Sequence, residues 1–577
     1  MSGRRDVYCV IDDEFRSLKT ANSVAEGRFT HGGETVQLSL PPDWFSLELP
    51  TDEEWRIEWS KFYFGLDLAH ARQVTGSDVY FDVWRALVES WIDQVPAEHD
   101  SADVTARRVQ NWVYAWQRFE AAEGFGVVPV DLEQQLLTSI AAQTDHLVRN
   151  LSAERNHRTL ELYALFLVGL ALPEADPADD LVDFAAHELY RNVCLDILPD
   201  GVHRELSTHY HAIVLRSLVG LLVNAQRFGV DLPRDLPYRV ERAADFLASV
   251  IRPDGTLPRL SDSDDGDYRG LLSTAAALFG REDLRYIASG GRQGRAPERT
   301  TAEFPDGGYV VQRSGWGDGG APFAAERHLV FDCGAIGASG HGHYDALHIE
   351  VYGAGRPLLV DPGRYTYNEA GPVNWRRTFK STAAHNTVTV DALDQSPYHR
   401  GKNKGATSHT RRLPVRDSER SRRCAAEVVS PNYDAIHRRE IRFVSNEWWL
   451  VIDSLTGLVR HRYDLRFHLH PEAINDITAE GTSVVRAPGL ALLACRPASL
   501  SLEPGWVAPE YGRRVPAPVV SFVIEDTTAL FLTAVIPVAQ GDATPEVLAT
   551  NDDVVEVARG PRVDRVRWRD AFSWGRS

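Results

Sequence analysis

Apolar residues recur three and four positions apart from about residue 66 to about residue 290, and beyond about residue 300 the spacing shortens to alternation. In the first stretch VYFDVWRALVESWIDQV, ARRVQNWVYAWQRFEAA, LEQQLLTSIAAQTDHLVRNL, HRTLELYALFLVGLAL, DDLVDFAAHELYRNVCLDI, STHYHAIVLRSLVGLLVNAQRFG, RVERAADFLASVI and YRGLLSTAAALFG each carry an apolar stripe over helix length. Their connectors, LPEADPADD, LPDGVHREL and RPDGTLPRLSDSDDGD, hold the Pro, Asp and Gly that end helices. The pattern predicts many antiparallel-capable helices. From FPDGGYVVQRSGWGDGG through HRREIRFVSNEWWLVIDSLTG to PVVSFVIEDTTALFLTAVIPV and VVEVARGPRVDRVRWR, short alternating runs between Gly and Pro turns predict an antiparallel β-sandwich. The fold class is therefore α+β and multidomain, with a lead-in segment at 1–65, a helical domain at 66–300 and a sandwich at 301–577.

The lead-in segment holds a Pro-Pro-Asp-Trp corner and an aromatic cluster. Trp44, Trp55, Trp59, Phe62 and Tyr63 are expected mostly to pack this segment onto the helices, with stacking against sugar faces as the alternative.

A chain of 577 residues with an ordinary apolar fraction excludes disordered and fibrous classes. Cys9, Cys194, Cys333, Cys424 and Cys495 are scattered and form no CxxC pair, which excludes a disulfide framework and a thiolate metal site; they read as buried thiols. The first twenty residues lack an apolar h-region, so the chain as written is expected in the cytoplasm, or secreted or periplasmic if a leader is missing. No apolar run reaches membrane-spanning length and no nucleotide-binding glycine loop occurs, so neither a membrane nor a nucleic acid is expected as partner. The formal net charge of −19 repels polyanions on average. Arg376, Arg377, Lys380, His399, Arg400, Lys402 and Lys404 form a local basic stretch that fits either a solvated face or substrate contact.

The chemistry gathers between Gly337 and Gly363, in GASGHGHYDALHIEVYGAGRPLLVDPG. His341, His343 and Asp345 share one glycine-flanked turn, a hairpin returns the chain to Asp361, and His385 opens a further strand-like run. Two His and one Asp from successive strand ends suit zinc. Two helical-domain segments also concentrate polar groups: Asn156, His157 and Glu161 at one helix start, and His203, Glu205, Tyr210 and His211 at another. Asn156 and Glu205 equally fit helix caps, and Tyr210 a core tyrosine.

HGHYDALHIEVYGAGRPLLVDPG followed by WRRTFKSTAAHNTVTVDALDQS resembles the C-terminal signature of the heparinase II/III-like polysaccharide lyases, and NHxxxE and DGxHxExSxxYH resemble that family's helical-domain motifs. The resemblance implies an incomplete (α/α) toroid followed by a β-sandwich, and β-elimination on a uronic-acid-containing glycan. That reaction needs a group to neutralise the uronate carboxylate, a base for the C5 proton and an acid for the departing C4 oxygen. Carried over, the resemblance makes Asn156 and His157 neutralisers, Tyr210 base and acid with a lowered pKa, and His341 its partner. Glu161, Glu205 and His211 become supports, and His343, Asp361 and His385 ligands of a structural divalent metal, zinc first. His341 is then expected to face the cleft while His343 turns towards Asp361 and His385.

The implied partner is an acidic polysaccharide or oligosaccharide; the oligomeric state stays open, a homodimer included. Two rivals remain. A glycan-binding or assembly protein could share the fold, and a glycoside hydrolase would need paired carboxylates. Asp262, Asp264, Asp265 and Asp267 in LSDSDDGD are the acidic cluster that could serve such a hydrolase, and they read as solvated surface.

Overall fold

The computed structural model describes residues 5–122, 128–175, 180–337, 340–399, 406–418 and 421–571. The chain divides into two compact units, one formed by Met1–Ile197 with Ala212–Glu241 and the other by Leu198–His211 with Arg242–Ser577.

The first unit is helical. Val79–Gln94, Ala102–Glu120, Val130–Asn150, Arg155–Ala171 and Leu181–Asp196 fall where the 3.6-residue periodicity places them. Their buried stripes include Trp84, Trp91, Trp112 and Phe119. Shorter helices at Leu18–Ala25, Glu53–Ser60 and Phe64–Thr75 precede them; the first two, of 8 residues each, are too short to display a full apolar stripe. Trp44, Trp55, Trp59 and Phe62 are buried, and Trp44 stacks on Trp59 with centroids 4.1 Å apart. The lead-in aromatics thus pack. Tyr63 stays half-buried and accepts a hydrogen bond from Arg107 Nη1 at 2.8 Å.

The second unit is mainly β. A five-stranded antiparallel meander runs through Thr301–Phe304, Tyr309–Arg313, His328–Asp332, Ile349–Gly353 and Arg356–Leu359. It faces a ten-stranded sheet built on two long strands, Trp448–His468 and Arg513–Pro537. These pair from Trp449↔Val535 to His468↔Val519, with a register shift between Thr456 and His461. Val310, Phe331, Ile349 and Val351 of the meander share one core with Ile441, Phe443, Trp449 and Phe522 of the large sheet. The middle strands of the meander are buried on both faces, because their outer face is covered as well. Arg252 pairs with Glu350 at 2.5 Å, His328 Nε2 donates to Ser249 O at 3.2 Å, and Tyr309 Oη donates to Leu206 O at 3.0 Å. Asp200 accepts from the amides of Asp306 and Gly307 at 2.7 and 2.8 Å. The Leu206 and Asp200 bonds fix residues 198–211 against the sheet, and Tyr210 with them.

Cys333, Cys424 and Cys495 are buried as expected, but Cys194 is exposed and Cys9 half-buried. A thiol on the polar face of the helix Leu181–Asp196 has no core to enter. No described helix is long and apolar enough to cross a membrane.

Candidate active site and metal centre

Asp262 organises the second unit's polar centre. Its carboxylate is fully buried. His341 Nδ1 donates to Oδ2 at 2.9 Å, His343 Nε2 donates to Oδ1 at 2.9 Å, and the Arg376 guanidinium spans both oxygens. Burial opposes the charge of Asp262, but Arg376 and the two imidazole bonds outweigh it and hold the carboxyl well below the usual carboxylate range. An ionised acceptor requires a proton on each facing nitrogen, and burial, which lowers the pKa of His343 to about 3, leaves the lone pair of that ring on Nδ1.

His341 lies against Tyr210 and His343 lies with Asp361 and His385, as expected; what the sequence did not show is that both rings also meet on one carboxylate, that of Asp262. The solvated reading of LSDSDDGD holds for Asp265 and Asp267, which are exposed, and is corrected for Asp262, which is buried with Ser261 and Ser263, while Asp264 is half-buried. Ser207 Oγ donates to Asp262 O at 2.8 Å, and Thr208 Oγ1 meets Ser263 Oγ at 3.0 Å, which ties this loop to the start of the helix Thr208–Phe228.

Tyr210 lies in that helix's first turn. Its ring stacks on His341 with centroids 4.0 Å apart and planes at 25°. Its hydroxyl shares a hydrogen bond with Tyr367 Oη at 2.8 Å, and Arg364 Nη1 donates to the two hydroxyls at 3.5 and 3.0 Å respectively. Arg364 is anchored in turn on Asp264. Burial and the neighbouring Tyr367 push the Tyr210 phenol well above its ordinary pKa, with Arg364 pulling the other way. The expected lowering is absent: a buried hydroxyl bonded to a second phenol keeps its proton, and one guanidinium does not overcome that desolvation.

His211 is a buried brace. Its Nδ1 accepts from the His203 amide at 3.2 Å, Nε2 donates to Ala243 O at 2.9 Å, and burial lowers its pKa to about 4. Glu205 is buried, with Oε2 4.0 Å from His203 Nδ1. Arg376 and Lys380 of the basic stretch are also buried; Lys380 Nζ donates to Gly340 O at 2.8 Å, and burial lowers its pKa to about 8. Both hold the histidine turn, while Arg377 is exposed. Arg400, Lys402 and Lys404 lie outside the described residues.

In the first unit, Asn156 is buried in the first turn of Arg155–Ala171 and His157 beside it is exposed. Glu161 accepts from the Ser152 amide and hydroxyl, both at 2.7 Å, which fixes the loop entering that helix.

His343, Asp361 and His385 are all buried, and one ligand atom from each lies within 4.8 Å of the other two. His385 Nδ1 is 3.0 Å from Asp361 Oδ2. His343 Nδ1 and His385 Nε2 are buried with no hydrogen-bond partner. Buried imidazole nitrogens normally find a partner, so open nitrogens in a buried group of two histidines and one carboxylate fit a divalent ion, and the Asp262 bond to the far side of His343 is the support a metal-bound imidazole uses.

Residues 24–286 match the family described as Heparinase II/III N-terminus, and residues 296–547 match Heparinase II/III-like, C-terminal. The chain belongs to the heparinase II/III-like family. It is 23% identical over 549 residues to a heparin-sulfate lyase of Bacteroides stercoris, covering 88% of this chain and 79% of that protein. A heparin-sulfate lyase of Pedobacter heparinus is 24% identical over 520 residues, covering 85% and 75%. Among solved structures, a heparinase III superposes with a TM-score of 0.78 at 19% identity, covering 98% of this chain and 93% of that one. A chondroitin AC lyase of Streptomyces coelicolor A3 superposes with a TM-score of 0.54 at 13% identity, covering 88% and 79%. The fold class of this heparinase II/III-like chain is the expected one, a helical toroid followed by an antiparallel β-sandwich.

Asp262, Arg364 and Tyr367 escape the sequence reading. Arg364 and Tyr367 follow directly on Asp361 in DPGRYTY, a proximity that could have flagged them. Asp262 is 79 residues from His341, and no local signal marks it.

Proposed function

We propose that this polysaccharide lyase of the heparinase II/III-like family cleaves a uronate-containing glycosaminoglycan of the heparin or heparan sulfate kind by β-elimination, leaving a 4,5-unsaturated uronate end. The observation that carries the reading is the Tyr210 hydroxyl, set between Tyr367 and Arg364 with its ring on an imidazole bonded to Asp262.

Neutral Tyr210 is ready to protonate the departing C4 oxygen. For the preceding abstraction of the C5 proton it must first lose its own proton to solvent; Arg364 with the Tyr367 hydroxyl stabilises the phenolate, which then takes the C5 proton and passes it on to the C4 oxygen. His341, stacked on the phenol ring, acts on Tyr210 by position and polarity. Neutralising the uronate carboxylate is assigned to Asn156 and His157 on the family motif NHxxxE. A zinc or similar ion on His343, Asp361 and His385 would cross-link the turn that aims His341 and supply no step of the elimination.

The hydrolase reading loses its carboxylates. Asp262 pairs with Arg376, Asp264 with Arg364, Asp265 with Arg259 and Asp267 with Arg269, so none is placed as a free acid and base pair. An absorbance assay for unsaturated uronate over a panel of sulfated and unsulfated uronate polymers tests the proposal. New absorbance with new chain ends supports elimination; reducing ends without absorbance would mean hydrolysis, and binding without either would mean a glycan-binding protein.

A further inference from the structure

Three aromatic rings surround the guanidinium of Arg514. Its Cζ lies 3.4 Å from the ring centroid of Trp375, 4.6 Å from Trp506 and 5.0 Å from Tyr365. The two indoles stand nearly perpendicular, at 82° with centroids 5.9 Å apart. Trp506 and Arg514 come from the hairpin of Ser499–Glu510 and Arg513–Pro537, whose register sets Trp506 opposite Pro516 and Val507 opposite Val515. Tyr365 and Trp375 come from the segment that also delivers Arg364, Tyr367 and Arg376.

Two observations separate this cluster from ordinary packing. Arg364 and Arg376 each sit on a carboxylate, whereas no described carboxylate pairs with Arg514, and its Nη1 is buried with no hydrogen-bond partner. A guanidinium held in place by stacking, with donors unspent, is prepared for an anion from outside the chain. Trp506, moreover, keeps 36% of its surface exposed, although an indole recruited only for packing would be covered. The cluster also adjoins the reactive groups: Tyr365 is two residues from Tyr367, whose hydroxyl meets that of Tyr210, and Trp375 precedes Arg376, which holds Asp262.

We infer that Arg514, Trp375 and Trp506 form a subsite for one anionic sugar unit of the glycan, next to the unit that is cleaved. The exposed indole takes the C–H face of the pyranose, and the guanidinium takes its carboxylate or sulfate oxygens. This rests on the lyase reading above and adds to it where the chain is gripped.

The test uses the full-length protein and the uronate polymer it cleaves best. Arg514→Gln keeps the side chain's bulk and removes its charge; KM is expected to rise about tenfold, with a far smaller change in kcat. Binding of the same polymer to Tyr210→Phe and to Tyr210→Phe/Arg514→Gln, measured by calorimetry at several salt concentrations, should show weaker affinity and a shallower salt dependence for the double variant. Trp506→Ala should raise KM too, without lowering the melting temperature. If the anion is a sulfate, the Arg514→Gln penalty appears on sulfated polymers alone; if it is a carboxylate, it appears on unsulfated polymers as well. Should Arg514→Gln fold poorly, Arg514→Lys, which keeps the charge but loses the planar stack, must still raise KM. An unchanged KM and salt dependence in a parent that does cleave would overturn the subsite and leave the lyase standing. A parent that cleaves no uronate polymer overturns both.

Discussion

The phenol ring of Tyr210 lies against the imidazole of His341, centroids 4.0 Å apart and planes 25° from parallel. A stacked imidazole cannot accept a hydrogen bond in the phenol's plane, so His341 acts on Tyr210 by position and polarity, and the hydroxyl is left to Tyr367 and Arg364. Proton traffic thus centres on the Tyr210 oxygen.

Tyr210→Phe removes that oxygen and nothing else. Turnover should fall by about 10⁴-fold, the upper end for a general acid–base group, while melting temperature and polymer binding stay close to the parent's. Initial rates by unsaturated-uronate absorbance check this, and a loss under tenfold would move the base elsewhere.

Asp262→Asn should damage two functions at once. An amide cannot accept from His341, His343 and Arg376 together as the carboxylate does, and it leaves the Arg376 charge buried without its partner. Breaking a buried pair in this way costs roughly 3 kcal/mol or more. The variant should melt earlier, bind metal less tightly and lose at least about a hundredfold in turnover. A variant with parental melting temperature and metal content would remove Asp262 from its organising role.

Metal content separates the two histidines of the turn. Purified protein should carry about one divalent ion, zinc foremost. His343→Ala should release it and lower the melting temperature, with activity falling as the turn loosens. His341→Ala should cut turnover and leave the ion in place, because Asp262 retains Arg376 and His343. Elemental analysis, melting curves and rates on both variants decide; equal loss of metal would make His341 a ligand rather than Tyr210's partner.

His461 supplies a pH signature away from this centre. Its Nδ1 lies 2.7 Å from Asp391 Oδ2 and its Nε2 lies 2.6 Å from Asp434 Oδ1, so both nitrogens donate and the ring is held as imidazolium. The bond to Asp391 raises its pKa above the ordinary 6.5; desolvation opposes it, and the bond to Asp434 adds to the rise. A raised folded pKa means the stabilisation is complete below about pH 6.5 and is lost as pH climbs through the folded value. The melting-temperature gap between parent and His461→Gln should be wider at pH 6 than at pH 9. A gap that widens towards pH 9 would contradict the assignment.

Periodicity alone marked the long helices from Val79 to Phe279 and the strand series after Thr301, because a stripe of helical period or an alternating run is a local property that burial later exploits. The turn holding His341, His343 and Asp345 was legible for a related reason, because unusual residues crowd it, while Asp361 and His385, at the ends of later strand-like runs, were marked as ligands by the family resemblance. What the sequence could not specify was the role of Asp262, which looked like one acid among four in a serine-laced loop. Packing brings it to His341 and His343, 79 and 81 residues away, and to Arg376, 114 residues away. The protonation of Tyr210 likewise depends on burial and on which hydroxyl and guanidinium arrive beside it, since desolvation is a property of the folded surroundings and not of a motif.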